Sequence, residues 1–206
     1  MIELAFLLAV SADPSIFYSK SFPGSTPAYV EVQLERDGSI VYKEKPDDDQ
    51  PVKFSLKQEE ADAIFALADK LDHFKNKLES DLPVARMGEK TFRWINGSET
   101  HEQKYNYSTS EDAKALQDWF EKITETEMHL FNLERTVRFD KLGVNKTLLQ
   151  LETSWDKRRL LAVNQFEPWL NRVIKNESYL NMDRDRAQKL LDSFKNPPPP
   201  PAPPKQ

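Results

Sequence analysis

The 206-residue chain contains no cysteine and only five glycines. The first absence excludes a disulfide framework, thiolate-bound zinc, iron–sulfur ligation and a thiol nucleophile. The second leaves little room for phosphate-cradling loops, and the sequence holds no P-loop, no dinucleotide glycine pattern and no G-x-S-x-G elbow. Positive charge is not in excess either. The formal net charge is −5, which argues against nucleic acid as a partner. The longest apolar run, Leu4 to Val10, falls far short of the about 20 residues that a membrane-spanning helix needs. Histidine is scarce: His73, His101 and His129 lie on different predicted elements, without H-x-H or H-x-x-x-H spacing. Neither a metal nor another cofactor is therefore expected. What the chain does hold is aromatic weight. Twelve Phe, six Tyr and four Trp suffice for a substantial core.

The two ends differ in character from the body. Leu4 to Val10 is apolar throughout, and Val10-Ser11-Ala12 places small residues at the −3 and −1 positions of an export-type cleavage site. Residues 1–12 are thus expected to be a signal peptide, and the protein to be exported to a periplasm or the extracellular space. No Lys or Arg precedes the run and Glu3 stands at its head, which keeps a second reading open: a first core element of a cytoplasmic protein. At the other end, seven of the fourteen prolines fall within residues 197–206. Such a run is polyproline II and is expected to be a stiff, disordered tail; docking in an aromatic groove is the alternative.

Between the ends the patterning changes once. Tyr29 to Glu35 alternates, with Val30, Val32 and Leu34 on one side, which is a half-buried strand. Asp37-Gly38 turns the chain. A three-residue Arg36-Asp37-Gly38 loop with Gly38 left-handed places Ile40 and Tyr42 with those apolar residues, whereas a two-residue turn exposes them. Ser55 reads as a helix N-cap with Gln58 completing a capping box, ahead of a helix bearing Ile64, Leu67, Ala68 and Leu71. A second hairpin is expected from Lys90 to Tyr107, turning at Asn96-Gly97. A long helix starts after Ser108 or Ser110 and runs to Gly143, which is expected as a left-handed C-terminal cap. Three or four further helices follow, including those around Leu148, Trp169 and Leu190. Strands first and helices afterwards define an α+β protein: a small antiparallel sheet of two hairpins packed on two helices, then an all-helical C-terminal extension. The expected divisions are 13–125 for the α+β domain and 126–196 for the helical extension.

The run Gly24-Ser25-Thr26-Pro27-Ala28-Tyr29, followed by the strand, Asp37-Gly38 and a strand ending in Tyr42, resembles the opening of an uncharacterised bacterial domain family. Its members are mostly exported and open with G-x-C-P-x-Y. The match continues loosely to about residue 124. Thr26 replaces the family's Cys, so no role of that thiol carries over. The resemblance implies the fold and export, and no activity.

The second hairpin holds the most suggestive surface. Phe92 and Trp94 share a face with Glu99, His101, Gln103, Tyr105 and Tyr107. These aromatics beside a histidine and a carboxylate make a candidate ligand-binding platform of Phe92, Trp94, Glu99, His101, Tyr105 and Tyr107. The competing reading puts the aromatics under the helices, and the burial of one sheet face in such folds favours it. Asp47-Asp48-Asp49 and the pair Asp183 and Asp185 lack the spaced ligands of a calcium loop and read as solvated acids. Arg135–Arg159 holds seven bases against three acids, which suits an acidic partner, an anionic lipid surface or plain solvation. The sequons at Asn96, Asn106, Asn145 and Asn176 matter only in a glycosylating host. The expected function is binding or interaction without catalysis, toward a protein or small ligand. The alternatives are a hydrolase-like acid–base site at Glu99 and His101, and a structural part of an exported assembly.

Overall fold

A computed structural model of the protein describes residues 13–197. The leader expected over 1–12 lies outside the described residues, as does the proline tail beyond Pro197. The protein is α+β: four strands, one helix and two further strands precede the helical C-terminal part. In chain order the strands are β1 (Ser15–Ser21), β2 (Tyr29–Glu35), β3 (Ser39–Lys43) and β4 (Val52–Ser55), then β5 (Glu89–Asn96) and β6 (Glu99–Tyr105). The helices are α1 (Gln58–Lys70), α2 (Glu111–Phe139), α3 (Val144–Asp156), α4 (Glu167–Ile174) and α5 (Asn181–Lys195). Chain contacts divide it into two units, one ending at Phe120 and one beginning at Glu121. Both that boundary and the expected join at 125–126 fall inside α2. Among the described residues no helix is long and apolar enough to cross a membrane.

The first unit is built on one antiparallel sheet in the order β4-β3-β2-β1-β5-β6. Both expected hairpins are present, and β1 joins them. Local sequence pattern does not mark 15–21 as a strand. Only Ile16 and Tyr18 mark its inner face, and its ladder partners, β2 and β5, are far apart in sequence. The inner face carries Tyr18, Val32, Leu34, Ile40, Tyr42 and Phe92, all essentially without solvent contact. Phe65 of α1 packs edge-on against Trp94, and Phe120 of α2 stacks on Tyr18 at 4.8 Å. Phe17, Gln33 and Arg93 line the opposite face, where the Arg93 guanidinium lies 4.6 Å from the centre of the Phe17 ring.

Turn chemistry sets the registers. Leu34 pairs with Ile40 and Val32 with Tyr42, the register of the three-residue loop. Gly38 has φ +85°, and a Cβ there would sit 2.9 Å from the carbonyl oxygen of Leu56, so the position excludes larger residues twice over. In the second hairpin the turn lies at Gly97-Ser98, one residue later than expected, because Asn96 pairs with Glu99. A turn at Asn96-Gly97 of the favoured type needs positive φ at both residues, and only Gly97 (φ +58°) has it. The shift moves each pairing by two residues, so the inward face is kept while Trp94 gains His101 as its cross-strand neighbour.

Two helix ends also differ from expectation. Ser55 closes β4 opposite Ser39 instead of capping α1. The cap is Lys57, whose N–H donates to Glu60 Oε2 at 3.0 Å. Gly143 is not left-handed: it has φ −75° and precedes α3. Asp140 ends that turn instead, its Oδ1 accepting the Gly143 N–H at 3.0 Å, and its carboxylate fills the space a Cβ would take.

The second unit closes around Leu133 and Val137 of α2, Leu148 of α3, Leu170 of α4 and Leu190 of α5, with Phe166 buried at the entry to α4. Pro168 sits in the first turn of α4, where its missing N–H costs nothing.

Candidate functional site

The six hairpin residues do not form one open surface. Phe92, Trp94 and Tyr105 are buried. The Phe92 ring is walled in by Phe74 and Tyr18, each with its centroid 5.2 Å away, and by Tyr105 and Phe120 at 5.7 Å. These aromatics belong to the core, so no stacking platform is available at Phe92 or Tyr105. Tyr107 lies past the end of β6, half-buried, with the Lys114 ammonium 5.9 Å from its ring centre. Glu99 is exposed and His101 half-buried at the start of the same strand, which puts them at the opposite end from Tyr107.

A different grouping forms around Trp94. His73 stacks on its indole with centroids 4.1 Å apart and planes 23° from parallel. Asp72, His73 and Phe74 have φ of +49°, +53° and +63°, a left-handed turn made without glycine. Each such residue costs about 1–2 kcal/mol. Phe74, fully buried against Phe92, and His73, laid on Trp94, supply the offsetting contacts. Asp69 Oδ1 meets His73 Nε2 at 2.9 Å, while His101 Nε2 lies 3.4 Å from Glu99 Oε1. Lys75 Nζ is 3.6 Å from that same oxygen and 3.9 Å from Asp72 Oδ1. His101 Nδ1 is buried with no hydrogen-bond partner. His73 thus stacks on the Trp94 indole, and His101 is its cross-strand neighbour. No group of three His, Asp or Glu side chains among the described residues is placed to hold a metal. At the far end of β6 a polar cleft of about 400 Å³ opens between Ser21, Glu79, Arg86 and Lys104. Glu79 is committed to the backbone there. It accepts the Asn106 N–H at 2.6 Å, and that bond holds its carboxyl below the usual range.

The third histidine belongs to a polar clasp in the second unit. Ser154 Oγ donates to Glu125 Oε1 at 2.8 Å, and Arg159 Nε donates to Glu125 Oε2 at 2.8 Å. His129 Nε2 lies 2.9 Å from Ser154 Oγ. A serine has one proton, and Glu125 takes it, so the imidazole N–H is the donor to the serine oxygen. That order is the reverse of a nucleophile–base pair, in which the imidazole accepts the hydroxyl proton. The spacing of Glu125 and His129, four residues apart on one helix, is the one sequence signal for this group.

Burial holds the His129 imidazole below its ordinary value, with the Glu125 charge opposing the shift. The folded protein therefore favours the neutral ring. As pH falls below about 6.5 the unfolded chain takes up a proton that the folded clasp refuses, so stability declines until the folded ring also protonates. Urea midpoints measured on either side of that pH should fall with acidification, and His129→Gln, which keeps an N–H for Ser154, should flatten the trend. A His129→Gln profile parallel to the parent would contradict this assignment.

Among the described residues, the most exposed large apolar side chains belong to one end of the second unit. Phe139, the last residue of α2, is 80% exposed and Leu142, in the turn before α3, 93%; Leu180 (61%) and Met182 (55%) flank the start of α5. Three contacts tie the two turns together. Lys141 Nζ donates to Ser178 Oγ at 2.9 Å, Tyr179 Oη to the Val137 carbonyl at 3.0 Å, and Asn145 Nδ2 to Asp183 Oδ1 at 2.6 Å. Asp183 is thus buried and paired rather than a solvated acid. Sequence periodicity does not reveal this surface because Phe139 lies off the inward stripe of α2 and Leu142 lies beyond the end of that helix. No known protein-family model matches the chain, and no curated protein matches it.

Proposed function

We propose that this chain is a non-enzymatic, exported interaction protein and that the apolar end of its helical unit is the contact surface. The observation that carries the reading is that Phe139 and Leu142, where α2 passes into α3, and Leu180 and Met182, at the start of α5, stand exposed on two segments that hydrogen bonds join. Large apolar side chains scattered singly are ordinary, but a cluster held on a braced scaffold is the mark of a contact site. Export is supported by the Leu4–Ala12 pattern and by the resemblance of residues 24–42 to a mostly exported family. One experiment addresses both parts. A photo-cross-linking residue at position 142, introduced in producing cells, should give a discrete adduct that the same probe at Leu149, exposed on α3, does not. The recovered protein should begin at Asp13. Cytosolic protein with Met1 intact overturns export, and equal labelling at 142 and 149 overturns the contact surface.

A further inference from the structure

We infer that the occupant of this apolar end is an anionic lipid surface; the inference rests on the interaction reading above and names the partner of that same site. Charge is the first argument. Segment 135–146 holds four bases against one acid, and segment 172–186 four bases against three acids, in a chain whose net charge is −5. The region that presents the apolar side chains is therefore locally positive in a negative protein. Arg135, Lys141 and Lys175 are exposed in these segments, whereas Arg138, also exposed, pairs with Glu134 at 2.7 Å. Asp183, one of the four acids, is buried against Asn145 and contributes little to the outer rim. Protruding apolar groups rimmed by Lys and Arg match the headgroup and acyl boundary of an anionic bilayer, where the cations meet phosphate and the apolar groups leave water.

Geometry is the second argument. Phe139 and Leu142 project almost fully into solvent rather than lining a groove, so the surface is shaped to insert and not to receive a peptide. Self-association through a two-fold axis would set two basic rims against each other, which disfavours a second copy as the occupant. The bracing contacts of Lys141, Tyr179 and Asn145 hold both turns in place, so little ordering accompanies docking.

The test is sedimentation of the full chain with vesicles of phosphatidylcholine, with and without phosphatidylglycerol. Binding should require the anionic lipid and weaken as salt rises. Phe139→Ser with Leu142→Ser should lower the partition by at least about tenfold. Arg135→Glu with Lys146→Glu should abolish the preference for anionic vesicles, and Leu149→Ser should change nothing. Far-UV circular dichroism confirms that each variant is folded. Absence of vesicle binding alongside a position-142 adduct to a protein overturns the lipid inference and leaves the interaction reading standing. Vesicle binding that Phe139→Ser with Leu142→Ser leaves intact also overturns the inference, because the lipid then contacts another surface. No vesicle binding together with no adduct overturns both.

Discussion

Phe92→Ala should lower the stability of the sheet unit by about 3–5 kcal/mol, the largest single-residue loss expected in that unit. Phe92 is fully buried and its ring meets those of Phe74, Tyr18, Tyr105 and Phe120. Those four rings come from β1, β6, the left-handed turn and α2, so the void would open where four parts of the unit converge. Rigid rings cannot collapse into it without leaving their own packing, which puts the cost at the upper part of the usual range. The loss is large beside the about 5–15 kcal/mol that holds a typical domain together. The left-handed turn should feel it first. Asp72–Phe74 is held against its unfavourable backbone by the stacking of Phe74 on Phe92. Urea unfolding followed by near-ultraviolet circular dichroism measures the change. Phe92→Leu, which keeps most of the volume, should recover more than half of the loss. A Phe92→Ala protein within about 0.5 kcal/mol of the parent would show that the aromatic cluster is not the centre of this core.

The sequence held the parts of the fold that local chemistry decides. The choice of a three-residue loop at Asp37-Gly38 followed from which register buries Ile40 and Tyr42, and that register is present. β1 was not legible for the opposite reason. Its identity rests on pairing with β2 and β5, and seven residues carrying a lysine and three serines signal little by themselves. The second turn shows the limit of a strong local signal. Asn-Gly favours one turn, yet Gly97-Ser98 forms the loop, and the face survived only because the shift is even. At the candidate sites the gap is wider. Asp and His tolerate positive φ better than most residues, but three such residues in a row ending in Phe74 follow from tertiary packing, so the stacking of His73 on Trp94 was not legible locally. The aromatics of the second hairpin were legible as a cluster, and the alternative reading that placed them under helices describes where Phe92, Trp94 and Tyr105 lie. The basic run from Arg135 was legible as charge. The apolar tip within it was not, because helical periodicity ranks residues by the stripe they join, and Phe139 and Leu142 join none.

In the helical unit the corresponding change is Phe166→Ala, with an expected loss of about 3–5 kcal/mol. Phe166 is fully buried at the residue that opens α4. Its ring centre lies 5.8 Å from that of Phe194 near the end of α5, and Phe194 in turn meets Trp155 of α3 edge-on at 4.9 Å. One ring therefore begins a chain of contacts through three helices. α4 has eight residues and α5 carries a strongly polar outer face, so neither gains enough from its own backbone to persist without this packing. Removing the ring should free Phe194, which then loses its hold on Trp155, and the ends of α3 and α5 should loosen together. Hydrogen exchange should accelerate across Glu167–Ile174 and the last turns of α5 by more than across the first turn of α3, which Asn145 ties to Asp183 at the far end. Trp155 gives an independent readout, since a freed indole shifts its fluorescence toward that of a solvated one. Phe166→Leu should retain most of the protection, because leucine still fills the volume between α4 and α5. Exchange that rises uniformly through the unit would refute the local chain of contacts and make Phe166 one core residue among many.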